Sequence, residues 1–425
     1  MNSKRFSSLK NDNYIKQEYT NRELNIKPIK YSKTNLFLVM AITYIFSVNM
    51  FTFGMEYEWN LPSFLSRGSL ILMVCIVYLG AFKILFAKLD TISGLLVLFG
   101  FFSVVSTLIN YETQKINIID VINFQLLWVA VFFVAYTKTR KQLKESTVRI
   151  ILCTFPLVFF IYIFIFLKYM EVFGQGNVNL VYYILCFLPF VLCVKKNSIK
   201  MIFLLMISFS LLISMKRTAF LAFVIALFVS YIIDRHIMGK GRKRKLINTL
   251  VIFLTIITGI FMYNYIVDVF NLDIILRLQQ LSTDGWSGSG RDIIYRSVWH
   301  YQLNSTVGEW LIGRGYNGVS NTSAAGLGNL FYSSSAAHND FLEILYDYGI
   351  IGLSIYLLFF IKLIKHSIKL IKLKSDMAGP FAASLVIFFM LSMFSILILY
   401  PRYYLYLVLF WAMCFAEDYK LRKNY

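Results

Sequence analysis

Residues 271–340, NLDIILRLQQLSTDGWSGSGRDIIYRSVWHYQLNSTVGEWLIGRGYNGVSNTSAAGLGNLFYSSSAAHND, form the one long polar interval in a chain otherwise made of apolar runs. At 70 residues it is too long for a connector, because most connections between elements are a few residues long. Loops of this size carry function. The runs on either side, 247–269 and 341–361, are near the roughly 20 apolar residues a helix needs to cross a hydrocarbon core. The interval is therefore expected to be an extramembrane loop on a multi-spanning protein.

Composition agrees. Hydrophobic residues make up 58% of the chain, charged residues only 15%, and the mean hydropathy is +0.65, which excludes an ordinary soluble domain. The net charge of +20 raises the question of nucleic acid. Its distribution argues against that partner and for anionic lipid, since the basic residues lie in short clusters between apolar runs. Cys75, Cys153, Cys186, Cys193 and Cys414 all fall inside apolar runs, so they are expected to be buried small hydrophobes rather than a disulfide framework or metal site. The polar, basic start of the chain shows no cleavable signal pattern.

Taken in order, residues 1–33 read as a disordered basic cytoplasmic tail. Apolar runs follow at 34–53, 66–82, 91–109, 118–136, 148–167, 177–194, 199–214, 218–233, 247–269, 341–361, 379–399 and 402–416. The spacing predicts twelve transmembrane helices: nine over 34–270, the loop over 271–340, and three over 341–417, with a tail at 418–425. With the N-terminus inside, 32 of the 42 basic residues fall on the inner side, as the positive-inside rule requires. Both termini are then cytoplasmic and the loop is external. Within the loop, Leu272–Leu281 has the spacing of an interfacial helix. Arg291 opens a second helix, running to about Ser305, with Ile294, Val298 and Tyr301 on one side. Residues 309–318 read as a Gly-rich turn, and 317–337 as a mobile cover.

Candidate chemistry concentrates outside. Lys216 and Arg217 occupy the short external turn Ser214-Met215-Lys216-Arg217, on the side where cations are disfavoured. A charge at a helix centre costs about 2.5–3.5 kcal/mol on insertion scales. Either these residues snorkel to headgroups or they grip an anion, for which the planar Arg fork suits phosphate. Arg291 follows Ser287-Gly288-Ser289-Gly290 and precedes a helix, a combination that can cradle phosphate; an exposed loop Arg is the plain alternative. Arg296, Arg314 and Arg402 are weaker candidates for substrate binding. His338 precedes a span and can act as general base or donor. His300 reads as a packing residue, while His236 and His366 read as residents of basic cytoplasmic loops. Asp340 and Glu343 fit a helix cap with its N3 partner better than a catalytic pair. Gly349 and Gly352 suit close helix packing. Gly313-Arg314-Gly315-Tyr316-Asn317-Gly318 has dinucleotide-loop spacing but lacks the strand and helix that motif needs. No histidine or acid spacing suggests a metal.

These residues, in this order, resemble the O-antigen polymerase and O-antigen ligase superfamily. The resemblance rests on the basic turn Ser214–Ala219, on Ser289-Gly290-Arg291, on Leu311-Ile312-Gly313-Arg314-Gly315, and above all on Ala337-His338-Asn339-Asp340 running into Tyr348-Gly349-Ile350-Ile351-Gly352. It covers roughly 214–352; the first half matches in topology alone. Lys216 is a departure, where a small or apolar residue would be unsurprising. The resemblance implies a GT-C-like membrane glycosyltransferase in the bacterial cytoplasmic membrane, with its active site on the outer face and no metal or cofactor. Its substrate would be a glycan on undecaprenyl diphosphate. Arg217 and Arg291 would hold the diphosphate, with His338 activating the acceptor hydroxyl or supporting the leaving group and Lys216, Arg296, Arg314, Asn339 and Arg402 lining the site. A polysaccharide polymerase, for O-antigen or capsule, is the first expectation; a ligase of the same superfamily is the alternative. A chain-length regulator and a flippase are the expected protein partners.

The sequence also bears on two other classes. A lipid-linked oligosaccharide flippase would line a central cavity with charge, yet here the span interiors carry few ionisable groups, Asp120 being the main exception. A peptidoglycan glycosyltransferase of the shape–elongation type would need an external Asp, for which Asp273, Asp284 and Asp292 are available. The topology is directly testable. In a cysteine-free background, single cysteines at 280–289 should react with an impermeant maleimide added to intact cells. Labelling confined to inside-out vesicles would reverse the orientation.

Overall fold

The computed structural model describes residues 91–110, 129, 131–132, 135–136, 144–173, 180–214, 216–238, 291–324, 336–395, 397 and 405–423. The expected spans at 34–53, 66–82 and 247–269, most of 118–136, the interfacial helix at 272–281, residues 325–335 and Arg402 lie outside them. Every regular element among the described residues is a helix. In chain order these are α1 (Thr91–Ile109), α2 (Lys144–Phe173), α3 (Val181–Leu185), α4 (Leu188–Leu192), α5 (Asn197–Ser214) and α6 (Arg217–Met238), then α7 (Arg291–Leu303), α8 (Val307–Ile312), α9 (Gly318–Asn321), α10 (Asp340–Lys372), α11 (Ala378–Phe394) and α12 (Leu405–Lys423).

By length and composition, four stretches among these can cross a membrane: Val148–Leu167, Asn197–Ser214, Thr218–Ile237 and Asp340–Lys372. Gly94–Ile109, Val181–Leu192, Ala378–Phe394 and Leu405–Ala416 are shorter apolar helices. Among the described residues the protein is all-helical, and its apolar helices mark a multi-pass membrane protein. Its outward faces are apolar, with Phe101, Leu157, Phe160 and Phe228 exposed, as a lipid-facing surface requires. Pro156 sits inside α2. Nearby, the Thr154 hydroxyl donates to the Ile151 carbonyl at 2.7 Å.

The expected sixth span is two short helices, α3 and α4, with Pro189 opening the second. With residues 405–414 of α12 they form the innermost layer, buried on all sides, as helices that are apolar all round must be. Phe187 stacks near Tyr406, ring centroids 4.0 Å apart, and Phe155 meets Phe187 edge-on at 4.8 Å. The helices flanking the basic turn pack on different partners: α5 on α3 and α4, α6 chiefly along α11. α10 lies between α1 and α11. His366 is not in a solvated loop as expected. It is buried in α10 between Phe381 and Phe415, at ring distances of 5.0 and 4.1 Å. Of the cysteines, Cys186 and Cys414 are buried as expected, whereas Cys153 is on the exposed face of α2.

α10 is broken near its start. Gly349 leaves helical geometry (φ 62°, ψ −168°), and Gly313, just after α8, adopts φ 81°, ψ −166°. Both lie in a region open essentially to glycine alone. The break frees the carbonyls of Tyr346 and Asp347, which accept from the backbone N–H groups of Arg314 (3.2 Å) and Gly315 (2.7 Å). The two glycines face each other's main chain: a Cβ on Gly313 would run into the Asp347 carbonyl, and one on Gly349 into that of Leu311. α1 completes the joint. Ser106 donates to the Ile312 carbonyl at 2.8 Å, the Asn110 amide to the Gly313 carbonyl at 3.3 Å, and Thr107 accepts from Tyr316 N at 3.1 Å. Gly352 does serve close packing, against Phe102 of α1.

Polar side chains of α10 then hold the loop. Asn339 is the N-cap, its Oδ1 accepting from Phe341 N and Leu342 N at 3.0 and 3.1 Å. Asp340 and Glu343 therefore do not form the expected cap pair. Asp340 accepts from Leu397 N at 2.8 Å and Glu343 from Ala337 N at 2.6 Å. Asp347 accepts from Asn317 N at 3.0 Å, anchoring the start of α9. Residues 317–324 and 336–337 are thus a docked part of the loop rather than a mobile cover, with Val319, Ala324, Ala336 and Ala337 buried. Replacing Gly313 or Gly349 by Ala should destabilise the fold by on the order of 3 kcal/mol through backbone strain alone, with the clash added to it. Thermal unfolding in detergent should show a clear fall in Tm, and a variant with native Tm would contradict the contact.

Candidate functional site

The loop presents α7 and α8 as a small unit. Thr306 and Glu309 form a reciprocal capping box at the start of α8: Thr306 N donates to Glu309 Oε2 at 2.8 Å, and Glu309 N to Thr306 Oγ1 at 3.3 Å. The sequence S/T-x-x-E carries this signal, although residues 309–318 were expected to be a turn. α7 begins at Arg291 as expected and ends at Leu303. Its buried face is Ile294, Ser297, Val298 and Gln302, whereas Tyr301 and His300 are exposed. His300 is therefore not a packing residue; its ring lies beside the Asn304 amide at 3.3 Å.

The loop's arginines separate by environment. Arg314 is buried, pairs with Glu309 at 3.1 Å, donates to Ser305 Oγ at 2.6 Å and Gln302 Oε1 at 3.4 Å, and lies over the Tyr346 ring at 4.2 Å. With these partners it binds the loop together. Arg296 points to solvent from α7. Arg291 is different: it stands half-buried at the start of α7, and among the described residues no carboxylate forms an ion pair with it.

Around Arg291 the structure gathers the other candidates. Its charge reaches Lys216, His338, Tyr295 and Tyr182. Lys216 precedes α6, its carbonyl accepting from Phe220 N at 3.1 Å, and its Nζ lies 5.7 Å from the centre of the Tyr182 ring. The Tyr182 hydroxyl shares a hydrogen bond with Thr218 Oγ1 at 3.0 Å. Arg217 is the first residue of α6; its side chain lies outside the described part of the structure. His338 precedes α10 in a left-handed conformation (φ 53°). The Tyr295 hydroxyl donates to the His338 carbonyl at 3.1 Å and to that of Met393 at 3.3 Å. The Asn339 amide also donates to Met393 O, at 3.3 Å. Three helix starts, those of α6, α7 and α10, thus bring Lys216, Arg291 and His338 to one place. Helix starts favour negative charge.

The titration behaviour follows from this crowding. Burial, then Arg291 and Lys216, lowers His338 to about 4, so the imidazole is neutral at physiological pH. Burial and Arg291 lower Lys216 to about 8. These helix starts therefore bring together two cations and a neutral imidazole that can accept a proton. Among the described residues no group of three or more metal-ligating side chains occurs. Sequence reasoning reached Lys216, Arg291, His338 and Asn339. It missed Tyr295 and Tyr182, although Tyr295 stands one helical turn after Arg291.

Among curated proteins none matches the chain. Residues 201–357 match the family model described as O-antigen ligase, a segment that contains Lys216, Arg291, His338 and the Gly313–Gly349 joint. This match over residues 201–357 supports a relationship to the O-antigen ligase and polymerase superfamily.

Proposed function

We propose that the protein is a glycosyltransferase of the outer face of the bacterial cytoplasmic membrane. In this reading it moves a glycan from undecaprenyl diphosphate to the end of a second lipid-linked repeat, as a polymerase of O-antigen or capsule. The observation that carries the reading is the convergence of Lys216, Arg291 and neutral His338 at three helix starts. Donor transfer from a diphosphate needs two things: charge stabilisation on the leaving group and removal of a proton from the acceptor hydroxyl. His338 takes that proton as the hydroxyl oxygen bonds to the anomeric carbon. The bond from that carbon to the diphosphate oxygen breaks, and the released undecaprenyl diphosphate carries the negative charge. Arg291, Lys216 and Arg217 stabilise it electrostatically, with no step that calls for a metal.

A ligase, which passes the finished glycan to a different acceptor, is the second reading, favoured by the description of the matching family model. Deletion of the chain separates them. A polymerase deletion leaves single repeats on surface lipid, and a ligase deletion leaves full-length polymer on the lipid carrier. Repeats trapped on the inner face would instead indicate a flippase. Arg217→Ala, Arg291→Ala and His338→Ala should each cut product by about 10²–10³-fold, the scale for losing one charge-stabilising group, while reaching the membrane at normal levels. Normal product in all three would remove the site.

The pH dependence has a defined sign. Lys216 loses its charge as pH rises through about 8, so kcat/KM for the anionic donor should fall above that pH. Lys216→Arg keeps its charge throughout and should abolish this fall. An unchanged alkaline limb in that variant would show that Lys216 does not meet the donor.

A further inference from the structure

Tyr295 has no role in the chemistry above, yet its side chain ties the Arg291 helix to His338. It lies one turn after Arg291 on α7, and its hydroxyl proton is shared between the carbonyls of His338 (3.1 Å) and Met393 (3.3 Å). His338 is held at φ 53°, a conformation that costs a non-glycine residue on the order of 1 kcal/mol or more and persists only where its surroundings fix it. Asn339 fastens the next residue to the same Met393 carbonyl at the end of α11. The hydroxyl is a dependable donor because burial pushes its pKa up, keeping the proton in place.

We propose that Tyr295 is the positioning residue of the site: by clamping the His338 carbonyl from the helix that carries Arg291, it fixes the imidazole in register with the cations that hold the leaving group. The inference rests on the catalytic reading of His338 given above. It extends that reading by making the distance between base and diphosphate a property of one helix turn. A hydroxyl that acts only through a backbone carbonyl should govern turnover rather than donor binding, because Arg291 and Lys216 remain where they are.

The test is Tyr295→Phe, which keeps the ring and removes the donor. Two measurements on the purified full chain are needed, with lipid-linked repeats extracted from its own cells as substrate. First, kcat should fall by at least about tenfold while KM for the lipid-linked donor stays within about twofold. Second, acylation of His338 by diethyl pyrocarbonate at neutral pH, read by mass spectrometry against exposed His300 in the same molecule, should rise by roughly threefold as the loop opens locally. A native kcat, a loss confined to KM, or an unchanged labelling ratio would each overturn the proposal. The labelling ratio requires no turnover and so keeps the two readings apart. A raised ratio alongside a fully active His338→Ala variant would refute the catalytic role of His338 and, with it, a catalytic purpose for the clamp. Loss of activity in His338→Ala with an unchanged ratio in Tyr295→Phe would refute the clamp alone.

Discussion

The contact between Gly313 and Gly349 joins two pieces of main chain that could not otherwise exist side by side. Breaking α10 at Gly349 strands the carbonyls of Tyr346 and Asp347, and a buried carbonyl without a partner costs free energy comparable to a lost hydrogen bond. The N–H groups of Arg314 and Gly315 meet those carbonyls, and only glycine permits the approach on either side. The break and the turn therefore require each other. Because α8 ends at this turn and α7 is joined to α8 through Arg314, Gln302 and Ser305, the position of Arg291 relative to α10 is inherited from the joint.

The same logic decides what the acidic residues of α10 do. Asp340, Glu343 and Asp347 lie on successive turns and are buried. In sequence they invite a catalytic or capping interpretation. In the structure each accepts a backbone N–H from a different segment, at Leu397, Ala337 and Asn317. Through these hydrogen bonds, three side chains on one helix gather the end of the loop, the start of α9 and the segment beyond α11. The arginines divide in a parallel way. Arg314 is enclosed by partners and structural, while half-buried Arg291 lies near Lys216 and His338.

Much of this was legible beforehand. The limits of α1 follow from its uninterrupted apolar run, and the starts of α7 and α10 from Ser-Gly-Arg and His-Asn-Asp. The placement of Arg291 and His338 near a basic turn 70 or more residues away came from the order of motifs. What local sequence could not reveal depends on distant contacts. Nothing near Gly349 says that a helix must break there, since the reason is the turn at Gly313. His366 looks cytoplasmic by its lysine neighbours, but α11 and α12 enclose it with Phe381 and Phe415. Tyr295 is an ordinary helical tyrosine until its hydroxyl meets carbonyls 43 and 98 residues away.

The electrostatics of the pocket follow from bringing like charges together. Like charges repel more strongly where burial lowers the effective dielectric, so Lys216 and Arg291 together impose a positive potential on their surroundings. That potential, added to burial, is what keeps His338 neutral. A diphosphate seated between the two cations would cancel the potential and replace it with one of opposite sign. The pKa of His338 would then rise on donor binding, and the imidazole would become a stronger base at the moment an acceptor hydroxyl needs one. The imidazolium formed by that proton would in turn be stabilised by the charge growing on the leaving diphosphate. On the proposed function, one arrangement of charges would keep His338 neutral before the donor binds and make it a stronger base afterwards, which would couple proton transfer to donor binding.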